Sequence, residues 1–280
     1  MLRRRMTPLR RSTRIVFVAG VCLTAGTGVG LYALPDRTAD FWAWEIKAPL
    51  TAALFGAGYI GASVSLALAS LSGAWERARV VAVAAFTLTS LALLATLLDL
   101  GPFAFGKGGV TEAVAWIWLA VYIALPAAVL AAFLLQERRA RGAPEQDVVA
   151  HPATRALFGA AGLGLGVVGI GLLADWSRLA GSWPWPLPSL LARVLGAWLM
   201  TYAAAFLWFA IRERSWDRVR VGVAPAALSL TLVLGAAIRF SGDLRGGAAT
   251  VVYLSAASAL LVMLLAAWAL EERRLGTVSA

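Results

Sequence analysis

Charged side chains are scarce in this sequence, and so are the residues on which most catalytic and metal sites depend. Of its 280 residues only 14% are charged, one is cysteine and one is histidine, whereas 60% are hydrophobic. A water-soluble domain carries about a quarter charged residues, so this deficit indicates a chain whose surface faces lipid. The composition therefore argues against a soluble domain of any fold class.

The lone histidine and the lone cysteine exclude several kinds of site. His151 lies in a polar stretch between apolar segments, which leaves no pair of imidazoles to bind haem and no histidine-based metal site. Cys22 has no second cysteine for a disulfide, and we interpret it as a small packing residue. No acidic pair occurs inside an apolar run, and no phosphate-binding P-loop is present. The sequence predicts no cofactor, no metal and no enzymatic activity.

Long apolar runs are what the sequence has instead. Crossing a bilayer as a helix takes about 20 predominantly apolar residues, and eight uncharged runs approach or exceed that length. They are residues 15–34, 49–74, 80–98, 113–136, 156–174, 194–211, 221–238 and 246–270. None alternates polar and apolar residues as the strands of a membrane barrel do. The predicted fold class is an all-α polytopic membrane helix bundle with eight transmembrane helices.

The distribution of basic residues predicts the orientation. Of the 25 lysines and arginines, 18 fall in the two terminal segments and in alternate loops near residues 77, 140 and 215, and 7 fall in the remaining loops. Short cytoplasmic loops retain basic residues, so both termini are expected in the cytoplasm. The net charge of +10 is then attributed to topology and to attraction for anionic lipid, not to nucleic acid.

Tryptophan spacing reveals an internal repeat. Shifting the chain by 141 residues aligns Trp42 with Trp183, Trp44 with Trp185 and Trp75 with Trp216. Around the third pair, Trp-Glu-Arg-Ala-Arg-Val at residues 75–80 repeats as Trp-Asp-Arg-Val-Arg-Val at residues 216–221. The sequence predicts a tandem duplication of a four-span unit.

The duplication defines the predicted organisation. We expect a basic cytoplasmic tail (1–14), a first four-helix repeat (15–139), a cytoplasmic linker (140–154), a second repeat (155–274) and a short cytoplasmic tail (275–280). Because four crossings is an even number, the two repeats should be parallel and related by an axis along the membrane normal. A secretory signal peptide is the alternative for residues 15–34, but this run has a counterpart at 156–174, so a retained first span is preferred.

Short motifs accompany the repeat. The sequence reads Trp-Pro-Trp at residues 183–185 and Leu-Gly-Ala-Trp at residues 195–198, with weaker copies Trp-Ala-Trp at 42–44 and Phe-Gly-Ala-Gly at 55–58. On these motifs the chain resembles a group of uncharacterised bacterial multi-pass membrane proteins. The resemblance covers both repeats and implies a membrane location without any particular activity. With 23 arginines and only 2 lysines, the chain is expected in a bacterial cytoplasmic membrane.

Two groups of residues near the outer ends of the spans are candidate sites. Asp99, Arg193 and Arg239 form a candidate outer polar site, because charges near hydrocarbon are costly and often functional; the alternative is that they snorkel to the interface. Asp99 and Arg239 occupy nearly equivalent positions of the two repeats, which suggests that they face each other or a shared polar cavity, with Arg193 nearby.

The outer aromatic pairs are the second group: Trp42 with Trp44 and Trp183 with Trp185. They are interpreted as belt residues at the membrane interface, with a ligand-stacking platform as the alternative.

Small residues predict one helix interface. Ala57, Gly61, Ser65 and Ala69 recur at intervals of four and therefore share one face of the second span. In lipid, helices associate through close approach at such residues. We expect this face to pack directly against a neighbouring helix.

Two function classes remain open at this stage. Duplicated bundles with a site at the repeat interface are a recurrent transporter plan, so a small-solute or lipid-like permease or channel is the leading hypothesis. The alternative is a non-catalytic accessory, assembly or sensor subunit of a membrane complex. The expected partners are the lipid bilayer and either another membrane protein or a second copy of the chain, with no nucleic acid.

Overall fold

The computed structural model of the protein describes residues 6–140 and 149–279. It is 84% helical, and no strand occurs in the described ranges. Eight of the described helices are long and apolar enough to cross a membrane. This confirms the predicted fold class, and the chain is an integral membrane protein in contact with the lipid bilayer.

The described residues form ten α-helices. They are α1 (Arg11–Ala33), α2 (Thr38–Phe41), α3 (Pro49–Ser72), α4 (Trp75–Leu98), α5 (Gly109–Ala140), α6 (Pro152–Ala174), α7 (Trp176–Ala180), α8 (Ser189–Trp208), α9 (Trp216–Arg239) and α10 (Gly247–Ser279). A short π-helical turn, Phe209–Glu213, extends α8. The short helices α2 and α7 lie in the connections, and the other eight are the candidate spans.

The helix ends that carry the arginine-rich motifs meet at one face of the bundle. The Thr7 amide donates to Glu76, the Arg10 amide to Gln136 and the His151 amide to Glu271. We call this side, with residues 6–14, 73–79, 136–140, 149–155, 213–220 and 271–276, the terminal face. The opposite face holds residues 34–48, 99–108, 175–188 and 240–246.

Helices α3, α4, α8 and α9 form the centre of the bundle. Across the middle, α3 packs against α9 and α4 packs against α8. The four other spans lie outside this centre: α1 packs against α3, α5 against α4, α6 against α8 and α10 against α9. Contacts between the two sequence halves are therefore made mainly by the four central helices.

Close approach at glycine fixes the outer helices to the centre. A Cβ atom at Gly56 of α3 would lie 2.9 Å from the carbonyl oxygen of Gly28 in α1. In the same way, a Cβ at Gly196 of α8 would lie 2.8 Å from the carbonyl oxygen of Gly169 in α6. Backbones this close gain van der Waals contact, which is the main source of helix association in lipid.

The predicted spans are confirmed, but the helices extend beyond the apolar runs. α4 begins at Trp75 and α9 at Trp216, so each includes one of the arginine motifs, and α10 continues through Ser279, past the point where a tail was expected. Helix formation satisfies the backbone hydrogen bonds of these charged segments as well. Residues 1–5, which contain the first three arginines of the predicted tail, and residues 141–148 of the predicted linker lie outside the described residues.

Candidate functional site

A cavity of about 230 Å³ lies within the bundle. Its walls come from α1, α3, α4, α5, α8 and α9, with Phe158 of α6 as a further contact. It thus lies where the two halves of the chain meet. None of the described residues that line it carries a charge, and alanine, valine, leucine and phenylalanine side chains supply most of its surface.

Five aromatic rings form a continuous wall beside this cavity. Trp198 packs edge-on against Tyr59 at a centroid distance of 5.1 Å, and Trp118 lies 4.2 Å from Tyr122 and 5.5 Å from Trp42. The Tyr59 and Tyr122 hydroxyl groups are 2.8 Å apart and join these two groups of rings. All five side chains are buried and all five line the cavity. We call this set the aromatic wall.

Some polar groups of the aromatic wall are hydrogen-bonded and others are not. The Trp118 indole donates to the Thr96 hydroxyl at 3.0 Å. The indole N–H groups of Trp42 and Trp198 are covered by protein and have no hydrogen-bond partner among the described residues. The same holds for four indoles that do not line the cavity, those of Trp44, Trp183, Trp185 and Trp208.

Two residues that line the cavity, one on α1 and one on α5, are exposed. They are Leu23, which is 40% exposed, and Ile117, which is 57% exposed. At the terminal face the two helices are joined by hydrogen bonds, because Gln136 of α5 accepts from the Arg10 amide and the Thr13 hydroxyl.

The candidate outer polar site differs from the expected pairing. Asp99 accepts from Arg193 at 3.1 Å and from the Ser189 hydroxyl. Arg239 instead donates to the Tyr32 carbonyl oxygen at 3.4 Å and lies over the Phe240 ring at 4.7 Å. The expectation that Asp99 and Arg239 face each other is wrong, because the end of α4 packs beside the start of α8.

The outer aromatic pairs are interior residues. Trp42, Trp44 and Trp185 are buried, and Trp183 is half-buried. The first pair packs against Trp118 of α5 and the second against Tyr253 of α10. Interpreting these pairs as an interfacial belt is therefore wrong, because both pairs pack inside the bundle. One member, Trp42, lines the cavity.

A partly buried ion-pair network at the terminal face was not predicted from the sequence, in which its arginines served only as a topology signal. Its members are Arg77, Arg79, Arg218 and Arg220 with Glu137, Glu213, Asp217 and Glu272. Arg77 of α4 binds Asp217 of α9 at 2.8 Å and so joins the two halves. The repetition of the Trp-acid-Arg-x-Arg motif in both halves is the sequence signal that could have indicated it.

Similar hydrogen bonds occur in both halves of the chain at the terminal face. The Trp75 indole donates to Glu137 at 2.7 Å, and the Trp216 indole donates to Glu272 at 3.0 Å. Likewise, Thr13 donates to Gln136 and Thr154 donates to Glu271. Within each half these bonds attach the outer helices to one another or to the centre.

Comparison with known proteins returned no relative: no family model, no curated protein and no solved structure matches the chain. The cavity and its wall are consequently the observations on which a function is proposed.

Proposed function

We propose that the protein is a permease for small, lipid-like molecules without net charge, which enter its cavity from the bilayer. The observation on which this depends is the uncharged cavity between the halves, whose lining includes the exposed side chains of Leu23 and Ile117. Ligand sites are concave and mostly apolar, with a few polar groups that orient the ligand. The aromatic wall supplies such groups, so the cavity has the composition of a binding site.

A hydrophilic or ionic substrate fits the cavity poorly. Intramembrane charges mark the pathways of ions and of polar substrates, and the described lining residues include no acid, lysine, arginine or histidine. An ion or a sugar would lose its hydration there without compensation. Of the two substrate classes in the permease hypothesis, lipid-like molecules are therefore preferred over small hydrophilic solutes.

The inferred duplication supports a transport role. We propose that the chain consists of two parallel four-helix repeats, on the 141-residue offset in the sequence and on the matching contacts of Trp75 and Trp216. Transporter sites commonly lie near the bilayer midplane between such repeats. A site between repeats can change its access when one repeat moves against the other.

We further propose that the terminal face is cytoplasmic and that the membrane is the bacterial cytoplasmic membrane. The surplus of arginine on that face supports the orientation. In this orientation the ion-pair network closes the cytoplasmic end of the bundle, and the cavity opens laterally within the hydrocarbon.

Filling the cavity tests the proposal. Val121 of α5 lines the cavity, whereas Ala120, one residue earlier, faces lipid. In proteoliposomes, the wild type should accelerate the transbilayer movement of an uncharged, fluorescently labelled glycerolipid but not of labelled phosphatidylglycerol. We expect Val121→Phe to abolish most of the acceleration and Ala120→Phe to preserve it, with equal amounts of both variants reconstituted.

Two results would contradict the permease. One is equal lipid movement in protein-containing and protein-free vesicles. The other is an acceleration that Val121→Phe leaves unchanged. If the first result coincides with a stably co-purifying membrane protein, the accessory-subunit alternative replaces the permease.

A further inference from the structure

We propose that a shallow groove on the outer surface of α1 binds one anionic phospholipid, with the phosphate at two arginines and an acyl chain along the apolar residues that follow them. The groove has a volume of about 490 Å³ and is lined by Arg11, Arg14, Ile15, Val18 and Ala19. None of these residues lines the cavity between the halves. The inference is therefore independent of the permease proposed above.

The order of residues along α1 matches the two parts of a phospholipid. Residues 11, 14, 15 and 18 follow one another at intervals of three, one and three, so they share one face of the helix. Arg11 and Arg14 belong to the terminal face, whereas Ile15 and Val18 lie within the span and are 67% and 48% exposed. A helix rises 1.5 Å per residue, so Val18 lies about 10 Å beyond Arg11. A charged headgroup and the first part of an acyl chain have the same sequence of polar and apolar groups.

The two arginines of the groove have no counter-charge among the described residues. Both side chains are exposed, and neither forms an ion pair or a side-chain hydrogen bond with the described part of the chain. The described acids of the terminal face accept from other groups, and these acids are Glu76, Glu137, Glu213, Asp217, Glu271 and Glu272. Guanidinium groups bind phosphate through charge-assisted hydrogen bonds. A phosphate of the bilayer is thus the complementary charge for this pair.

The second half of the chain does not repeat this arrangement. At the offset of 141 residues, Arg155 corresponds to Arg14 and Pro152 corresponds to Arg11. Arg155 donates through Nε and Nη2 to the Ala210 carbonyl oxygen, at 3.1 and 2.7 Å. The second half therefore has one arginine here instead of two, and this arginine is already hydrogen-bonded to the protein. The groove on α1 is specific to the first half.

Net charge should decide which phospholipid the groove prefers. Any phospholipid can place an acyl chain on the apolar part, but the ammonium group of phosphatidylcholine offsets the charge of its phosphate. A basic residue near a membrane surface strengthens attraction for anionic lipid by about fivefold. Two such residues in one groove should therefore select an anionic lipid by about tenfold or more.

Native mass spectrometry of the full chain in detergent tests the inference by counting bound lipids. The protein is titrated with dioleoyl phosphatidylglycerol or with dioleoyl phosphatidylcholine, which have identical acyl chains. We expect the first phosphatidylglycerol to bind about tenfold more tightly than the first phosphatidylcholine.

Arginine substitutions locate the site. Arg11→Gln/Arg14→Gln should weaken the first phosphatidylglycerol binding about tenfold and leave phosphatidylcholine binding unchanged, whereas Arg11→Lys/Arg14→Lys should keep most of the preference. Arg212→Gln/Arg273→Gln is the matched control, because it removes the same charge from two exposed arginines at the same end of the bundle. The control should change phosphatidylglycerol binding by about twofold or less.

Each outcome either supports or overturns the assignment. Equal affinity for the two lipids overturns it, and so does a preference that Arg11→Gln/Arg14→Gln retains. Equal losses in this variant and in the control would show that the net charge of the face attracts lipid without a site on α1. If the double variant does not fold, Arg14→Gln is compared with Arg212→Gln by the same criteria.

Discussion

Glu213 is the most deeply buried acid of the terminal-face network, with a side chain that is 1% exposed. It accepts from Arg79 of α4 at 3.0 Å and from Arg218 of α9 at 2.9 Å. A carboxylate taken out of water costs several kcal/mol unless charged donors replace its hydration. At the scale of single residues, then, the arginines of the repeated motif stabilise the contact between the halves.

Removing this carboxylate should be strongly destabilising. Glu213→Ala leaves two arginine side chains without one of their acidic partners, so the free energy of unfolding in detergent should fall by about 3–5 kcal/mol. Asp175→Ala, which breaks the exposed pair with Arg178, should cost about 0–1 kcal/mol. Similar losses in the two variants would show that the network contributes no more than a surface ion pair.

The partner of Asp99 can be tested by a double-mutant cycle. Asp99 and Arg193 are each largely buried and lie 3.1 Å apart, so Asp99→Asn and Arg193→Gln should show a coupling free energy on the order of 1 kcal/mol or more. Asp99→Asn and Arg239→Gln should be additive, because Arg239 bonds to the Tyr32 carbonyl instead. Thermal unfolding in detergent measures both cycles, and a coupling to Arg239 as large as that to Arg193 would contradict the geometry.

The sequence predicted that Arg193 lies near Asp99, as it does, but it paired Asp99 with Arg239. The choice of Arg239 followed from an offset along the chain, which relates equivalent positions and says nothing about contacts between non-equivalent helices. The observed partner depends on α4 packing beside α8. Likewise, the sequence could not predict that the indoles of Trp42 and Trp198 lack a hydrogen-bond partner, because it does not indicate which tryptophans lie next to an acceptor.

At the scale of helices, the small-residue face of α3 is an interhelical contact, as the sequence predicted. A Cβ atom at Gly61 would collide with the Ser229 side chain of α9 and lie 2.9 Å from the Pro225 carbonyl oxygen. The Ser229 hydroxyl in turn donates to the Ala57 carbonyl at 3.2 Å. The spacing of four was sufficient to identify this face, although it could not identify α9 as the partner.

A bulky residue at this contact should separate α3 from α9. Gly61→Leu should lower membrane accumulation and the unfolding temperature, because neighbouring backbones can no longer approach. Gly164→Leu is the matched control, since a side chain at Gly164 of α6 meets nothing within 4 Å. Normal accumulation and stability of Gly61→Leu, measured beside Gly164→Leu, would mean that this contact is not required for folding.

The sequence predicted which segments form membrane-spanning helices better than it predicted where those helices begin and end. Uncharged runs of near-bilayer length identify all eight spans, because few other segments of a protein have that composition. The ends were missed where charged residues continue the helix, as in α4 from Trp75 and α9 from Trp216. The charged side chains of those segments form ion pairs in the terminal-face network. These ion pairs depend on tertiary packing and cannot be predicted from local composition.

At the scale of the whole molecule, the orientation is a separate prediction. Reporter fusions after residues 40, 107, 180 and 244 should be external, and those after 76, 145, 214 and 278 should be cytoplasmic, because arginine is concentrated in the second set of segments. Paired alkaline phosphatase and green fluorescent protein fusions measure both states. An external signal after residue 145 would contradict both the parallel duplication and the proposed cytoplasmic face.

The cavity itself could not be predicted from the sequence. Its lining residues come from seven helices and from both halves, and each of them alone is an ordinary apolar span residue. Only the packing of the central helices brings them together beside the aromatic wall. The sequence suggested a site between repeats by analogy with transporters, and the structure adds its uncharged lining and the exposed lining residues Leu23 and Ile117.

The most direct test of the central claim is to map where a bilayer-dissolved molecule contacts the protein. An uncharged lipid with a diazirine in its alkyl chain is photolysed with the reconstituted protein, and mass spectrometry locates the labelled residues. The account predicts labels at interior positions such as Ala85 of α4 and Ala205 of α8, which line the cavity, and their loss in Val121→Phe. Labels confined to the outward faces of the helices, unchanged in Val121→Phe, would contradict it.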